Sequence, residues 1–264
     1  MKATVFLGGG RITGALAAGL RLAGDRCEIV VYDRHPEKVR ALQRESGVEI
    51  ARDLKSAIDR AEMLIVAVRP GSVKEILREV VACGAVPGLC VSLAAGIPLK
   101  NLRAWLGRPA RWVRAMPSPV CRMGRGLTGI CFDGLVGKQE RDQVWELFAR
   151  VGQVIEIPEQ KFDAFTVTYS SSHGYHALTT LAQAAQDAGL DRATALTAAA
   201  HALADGIRSW RESGVGLDEL LEEAATPGGI AATTMAAMNR AGYVRAMRSG
   251  IRAGVAQARK NARR

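Results

Sequence analysis

With 264 residues, 48% of them hydrophobic and 23% charged, the chain has the length for two modest domains and too much apolar content for a disordered one. No apolar run approaches the roughly 20 residues that span a bilayer. Glycines break the opening MKATVFLGGG too early for a secretory leader, so no membrane partner and a cytoplasmic location are expected. Cys27, Cys83, Cys90, Cys121 and Cys131 are odd in number and form no C-x-x-C pair, which argues against a disulfide framework or a zinc site and for reduced thiols.

The net charge of +10 is concentrated in one region, because Ala224 to Arg264 holds eight basic residues and no acid. Basic residues suit a helix C-terminus. Such a stretch reads as a solvated face or as an attractor for an anionic substrate or cofactor. Aromatic residues, at 5%, are too scarce for a base-stacking surface, so no nucleic-acid partner is expected.

In chain order, Ala3–Leu7 reads as a buried strand and Ile12–Leu22 as a helix. Glu28–Tyr32 is the second strand, and Pro36 stands where a helix-starting proline belongs, ahead of Glu37–Glu45. Met63–Val68 and Leu89–Leu93 are further strands, followed by helices over Ser72–Val81 and Leu99–Leu106. Arg111–Ala115, Leu127–Phe132 and Val154–Ile157 complete the strands, with an amphipathic helix over Lys138–Val151. Near-continuous apolar strands between helices imply a mostly parallel, doubly wound α/β sheet of Rossmann type, covered on both faces. After Pro158 the chain is alanine-rich and strand-free, so a dinucleotide-binding domain over 1–160 and an all-helical domain over 161–264 are expected, the latter packing on a second copy.

The clearest motif is the glycine turn Gly8-Gly9-Gly10-Arg11-Ile12-Thr13-Gly14, placed between the first strand and the first helix. Gly8 permits the turn, Gly10 lets a pyrophosphate approach the backbone, and the amides at Arg11 and Ile12 open a helix whose positive end faces the phosphates. Thr13 stands where the third glycine of G-x-G-x-x-G belongs. Asp33, 20 residues past Thr13 at the end of the second strand, suits an adenosine ribose and hence NADH, whereas Arg34 suits a 2′-phosphate and hence NADPH. The two signals oppose, so NADPH and NADH both remain open.

Further segments resemble the pyrroline-5-carboxylate reductase family in order and spacing. Ala67-Val68-Arg69-Pro70 resembles its A-V-K-P, Ser92-Leu93-Ala94-Ala95-Gly96-Ile97 its S-x-A-A-G-I, Met116-Pro117 the start of its M-P-N-T-P, and Thr226-Pro227-Gly228-Gly229 its S-P-G-G. The resemblance implies hydride transfer from a nicotinamide to the C=N carbon of a cyclic imine carboxylate, giving a proline-like ring. It also implies a homodimer or larger homo-oligomer whose site is shared between subunits. On this reading Val68, Arg69, Pro70, Ala95 and Gly96 join the cofactor set, while Met116, Pro117, Ser118, Pro227, Gly228 and Gly229 face the substrate. A protonated imine is already electrophilic, so the chemistry asks mainly for positioning and a carboxylate anchor, which amides at a Gly-Gly helix start supply.

Departures cluster at the substrate end. Met116-Pro117-Ser118-Pro119 is one residue shorter than the family's motif, and Ser170-Ser171-Ser172-His173-Gly174-Tyr175-His176 replaces S-G-S-G-P-A-Y. Ala231 stands where the family has a threonine that reaches the imine nitrogen. Thr233 stays among the substrate-facing candidates, although a two-residue shift turns a helix by about 200°. Leu54 stands where relatives carry a cofactor-facing asparagine. His173, Tyr175 and Thr226 are the candidate catalytic groups, as proton donors or substrate contacts. Capping of a helix is the alternative for His173 and Thr226. His173 and His176 are three apart with no carboxylate nearby in sequence, so no metal site is expected. Two alternatives remain: a reductase of a different imine or enamine, and a non-catalytic NAD(P)-binding regulatory protein on the same scaffold. The β-hydroxyacid dehydrogenases, which share the layout, use a lysine on a central helix of the second domain; after Lys138 only Lys161 and Lys260 occur.

Overall fold

Strands that are apolar on both faces need cover on both, and the chain supplies it in alternation. The structure is a computed structural model and describes residues 2–263. In it β1 (Ala3–Leu7) runs into α1 (Arg11–Leu22), β2 (Ile29–Tyr32) into α2 (Pro36–Ser46), and β3 (Glu49–Ile50) into α3 (Leu54–Asp59). β4 (Ala61–Val66) leads to α4 (Pro70–Ala82) and β5 (Leu89–Ser92) to α5 (Leu99–Leu106). β6 (Arg111–Met116), β7 (Gly126–Phe132), α6 (Lys138–Ala149), β8 (Gly152–Glu156) and α7 (Glu159–Thr168) follow. The eight strands form one sheet in the order β3-β2-β1-β4-β5-β6-β7-β8.

Successive strand residues feed opposite layers. Val5, Leu7, Val30, Leu64 and Val66 pack on α3, α4 and α5, whereas Phe6, Val31, Met63 and Ile65 pack on α1, α2 and α6. Phe6, Leu64, Ile65 and Trp112 are fully buried, each contributing roughly 1.5–3 kcal/mol of burial.

Every strand pair is parallel except β6 with β7. The nine residues between Met116 and Gly126 hold only a short 3₁₀ turn, Pro119–Met123. A parallel return needs a crossover of a dozen or more residues, so this pair turns back on itself.

Two short elements escape the sequence reading, β3 and α3. The capping box of α3 was present as Asp53-Leu54-Lys55-Ser56: the Asp53 carboxylate accepts from the Ser56 amide at 2.7 Å, and the Asp53 amide donates to the Ser56 hydroxyl at 3.2 Å.

The chain divides into two compact units. One runs to Tyr169 and includes the residues from Ala253 onward; the other is Ser170–Arg252. This division falls nine residues past the expected 160/161 boundary, because α7 is fastened to the sheet. Phe162 enters the core layer, Asp163 pairs with Arg114, and Phe165 lies over Gly129. The chain's end also returns to the first unit, where the Asn261 amide donates to the Ala95 carbonyl at 3.3 Å and the Asn101 amide donates to the Ala262 carbonyl at 2.6 Å.

The second unit holds α8 (Ser171–Asp187), α9 (Arg192–Ser213), α10 (Leu217–Ala224), α11 (Ile230–Arg240) and the start of α12 (Tyr243–Asn261). Its buried residues, among those described, are three alanines, Ala182, Ala195 and Ala199. Among the described residues no helix is long and apolar enough to cross a membrane, and no three His, Cys, Asp or Glu side chains gather as a metal site. Cys90, Cys121 and Cys131 are buried thiols, Cys27 and Cys83 half-buried ones. Burial pushes Cys121 and Cys131 up to about 11, which keeps them protonated and unreactive.

Candidate dinucleotide site

The sheet order reverses direction between β1 and β4, and open α/β sheets bind ligands outside the carboxyl ends of their strands at such a point. A cleft of about 420 Å³ lies there, lined by Leu7, Gly8 and Gly10 after β1, Tyr32 to His35 after β2, and Ala67 to Arg69 after β4. Lys38 of α2 and Ser72 and Ile76 of α4 complete its walls.

The glycine turn is built for close approach. Gly8 has φ +110°, and a Cβ there would stand 2.8 Å from the Ala67 carbonyl oxygen, so only glycine fits. Its amide donates to the Tyr32 carbonyl at 2.7 Å. Gly10 is the N-cap of α1, with no side-chain cap and open space where a Cβ would stand. The first amides of α1, from Arg11 and Ile12 onward, therefore face an approaching ligand rather than a capping side chain.

Thr13 replaces the third glycine of the fingerprint with a defined purpose. It is fully buried, and its hydroxyl donates to the Gly8 carbonyl at 2.6 Å, bracing the turn from inside. Gly14 takes over close packing, since a Cβ there would meet Leu42 of α2 at 2.7 Å.

Asp33 is a brace as much as a ligand group. Its Oδ2 accepts from the Gly9 amide at 2.7 Å and its Oδ1 from the His35 amide at 2.8 Å. Arg34, also in the cleft wall, bonds to Glu79 and lies 3.1 Å from Glu75, both on α4. Hydrogen bonding to Glu75 and Glu79 raises the guanidinium pKa further, so Arg34 stays charged.

The remaining cofactor candidates separate. Val68 and Arg69 line the cleft, and Pro70 fixes the first turn of α4 beside it. The strand ends at Val66 rather than at the expected Val68, which leaves Ala67, Val68 and Arg69 to line the cleft. Ala95 and Gly96 do not line it. They pack on the chain's end, where a Cβ on Gly96 would stand 2.3 Å from the Ala258 carbonyl oxygen. Leu54 is a core residue, first in α3 and 9% exposed. Tyr32, His35, Lys38, Ser72 and Ile76 were missed; their positions at the end of β2, just past it, and in the first two turns of α2 and α4 were the available signal.

Of the substrate candidates in the first unit, Met116 ends β6, and Pro117 and Ser118 lead into the 3₁₀ turn. Ser118 is buried, and its hydroxyl meets the Tyr169 hydroxyl at 2.8 Å. The Tyr169 oxygen also accepts from the Leu127 amide at 2.7 Å. Tyr169 thus ties Ser118 to β7, a contact that the sequence reading passed over.

In the second unit His173 sits in the first turn of α8, but the helix is capped by Ser170, whose hydroxyl oxygen accepts from the Ser172 amide. Tyr175, on the same helix, is 68% exposed. Thr226 closes a turn through its carbonyl, which accepts from the Gly229 amide at 2.9 Å, and its side chain makes no cap to α11. Gly228 has φ +77° and Gly229 is the uncapped N-cap of α11, after Pro227. The Thr233 hydroxyl donates to the Gly229 carbonyl at 3.0 Å, which leaves its oxygen as an acceptor.

The cleft fits an NAD(P) dinucleotide: a left-handed glycine, an unfilled Cβ position and an uncapped helix start coincide at the switch point of the sheet. Comparison with known proteins agrees. Residues 4–96 match the family model for NADP oxidoreductase, coenzyme F420-dependent, and residues 159–261 match that for pyrroline-5-carboxylate reductase dimerisation. Pyrroline-5-carboxylate reductase of Corynebacterium melassecola is 30% identical over 90% of this chain and 89% of its own length. That of Escherichia coli K12 is 28% identical over 90% of each. The fold matches pyrroline carboxylate reductase of Plasmodium falciparum, solved with NADP bound, with TM-score 0.87 and 18% identity over 99% of this chain and 98% of that one. The chain therefore belongs to the pyrroline-5-carboxylate reductase family.

Proposed function

We propose that the chain is an NAD(P)H-dependent reductase of a cyclic imine carboxylate, acting as a homo-oligomer. The observation that carries the reading is the uncapped start of α1 at Gly10, opening into the cleft between the ends of β1 and β4. When bound, the reduced nicotinamide supplies hydride to the C=N carbon. The chain's own residues position the reactants. Amides of the first turn of α1 hold the pyrophosphate, Val68 and Ile76 give an apolar wall, and the Thr13–Gly8 and Asp33–Gly9 bonds keep the turn in shape before anything binds.

In the second unit the amides at Gly229 and the start of α11 suit the substrate carboxylate. His173, Tyr175 and Thr226 are the groups offered for proton donation, while the Thr233 oxygen can accept from a protonated imine. Ala231 removes a hydroxyl from this region, which favours an imine held by other contacts over pyrroline-5-carboxylate itself.

Among the described residues of the helical unit the buried ones are three alanines, which bury little apolar surface, so the unit gains from packing on a second copy. Leu221, Ala225, Met235, Met238, Tyr243 and Val244 line a groove that a second copy covers. A cytoplasmic setting suits the five free cysteines.

The decisive assay mixes the protein with NADPH or NADH and a panel of cyclic imine carboxylates, pyrroline-5-carboxylate included, and follows loss of the reduced nicotinamide absorbance. Saturable turnover on at least one is expected; cofactor binding with turnover on none would leave the regulatory reading standing.

Cofactor choice gives a prediction independent of the baseline preference. Glu75→Gln with Glu79→Gln removes both carboxylate partners of Arg34, leaving it to meet a 2′-phosphate, and should shift the NADPH:NADH ratio of kcat/KM upward, by roughly threefold given how exposed the pairs are. Arg34→Ala should shift it downward by a similar factor. No movement in either ratio would remove Arg34 from the adenosine end of the site.

A further inference from the structure

We propose that the second unit carries an anion site of its own, built from Arg240, Arg245, Arg248 and Arg252 and suited to a ligand with a chain of two or more phosphate groups. The four arginines, with Asn239, Gly242, Val244 and Ser249, line an open cavity of about 630 Å³ where α11 ends and α12 begins, bordering at Val244 the groove assigned above to a second copy. Arg245, Arg248 and Arg252 follow steps of three and four residues, so they share one face of α12. The Arg245 guanidinium folds back over the turn, with Nη2 at 2.9 Å from where a Cβ on Gly242 would stand.

Arginines without a carboxylate within 4.0 Å, such as Arg69 and Arg211, occur elsewhere among the described residues; what sets this cluster apart is that four of them line one cavity. Arg34, Arg60, Arg111, Arg114, Arg141 and Arg150 each meet a carboxylate. Among the described residues none of the four has a carboxylate within 4.0 Å, and the sequence supplies no Asp or Glu anywhere from Ala224 onward. Like charges at these spacings destabilise a helix, and a bound anion offsets that repulsion. Asn239 and Ser249 add neutral donors to the same cavity.

Geometry selects the ligand class. A guanidinium fork fits two oxygens of one phosphate. Arg245 and Arg252 are seven residues apart, about 10 Å along the helix, farther than one phosphate reaches. A phosphate chain spans both. For charge the site relies on guanidinium groups alone, whereas the dinucleotide cleft combines the helix-start amides with Arg34, Lys38 and Arg69, and it does not depend on the imine chemistry.

The test is calorimetric titration of inorganic tripolyphosphate at fixed ionic strength into the full chain with NADP⁺ present, so that the dinucleotide cleft is already taken. Saturable binding near one equivalent per chain is expected. Arg248→Gln with Arg252→Gln should weaken it at least tenfold, and Arg245→Gln alone should weaken it severalfold. Arg211→Gln, an exposed arginine of α9 outside the cavity, should leave it unchanged. Circular dichroism checks that these exposed substitutions keep the fold. Equal affinity in the wild type and the double variant overturns the site, as does equal weakening by Arg211→Gln, which would mark diffuse charge. Retained binding with lost self-association in sedimentation overturns it too, because the arginines would then serve an interface between copies.

Discussion

Gly10→Asp is expected to abolish dinucleotide binding while leaving the fold as stable as before or slightly more so. Gly10 has φ −80° and ψ −176°, a conformation open to any residue, and a Cβ there meets nothing within 4 Å. Aspartate is among the best N-cap residues and exceeds glycine by a few tenths of a kcal/mol. The same carboxylate stands where the pyrophosphate must lie and caps the amides the phosphates need. Two charges about 4 Å apart repel by about 4 kcal/mol at a surface-like dielectric, so the Kd for NADPH should rise by roughly two to three orders of magnitude. Nucleotide titration and a urea midpoint, measured on one preparation, carry opposite expectations. Unchanged affinity would take Gly10 out of the site, and a lost fold would show that the turn is mainly structural. Gly8→Ala is the less discriminating change, because its φ of +110° and the nearby Ala67 carbonyl make it cost stability and binding together.

The glycine-turn cleft was legible because its determinants are local. A glycine turn between an apolar strand and an apolar helix fixes a helix start whatever the rest of the chain does, and Gly8, Gly10, Asp33, Arg34, Val68 and Arg69 all reach one cleft. The sheet was legible for the same reason, since strand periodicity and short connections leave few topologies. Two-residue β3 was not, because it is too short to show a period.

Other candidates of both sets, Ser118 for the substrate and Ala95 and Gly96 for the cofactor, make contacts distant in sequence. Ser118 meets Tyr169 across 51 residues, and the Ala95–Gly96 segment packs on the chain's end, more than 160 residues away. No local pattern marks either contact. Likewise Thr13 read as a defect in the fingerprint, and only the Gly8 carbonyl 2.6 Å from its hydroxyl shows it to be a brace.

Arg114 is the other residue whose loss should be severe, and its importance follows from burial. Its side chain is 3% exposed on β6, two residues ahead of Met116. Its Nη2 donates to Asp163 at 2.9 Å, its Nη1 lies 3.8 Å from Glu159, and its guanidinium stands 4.4 Å over the Phe162 ring. Glu159 in turn accepts from the Leu99 amide at 2.6 Å, so one cation ties β6, α7 and the start of α5 together. Arg114→Ala leaves two carboxylates without their cation and should destabilise the chain by about 3–5 kcal/mol. Arg114→Lys keeps the charge but loses the fork and the stacking, so an intermediate cost is expected. Arg114→Leu combined with Asp163→Leu should cost less than Arg114→Leu alone, because the carboxylate stranded by the single change is then gone. A double-mutant cycle from urea unfolding measures that coupling. Strictly additive effects would mean that α7 is held by Phe162 alone and that the ion pair contributes nothing to fixing the Met116–Ser118 segment.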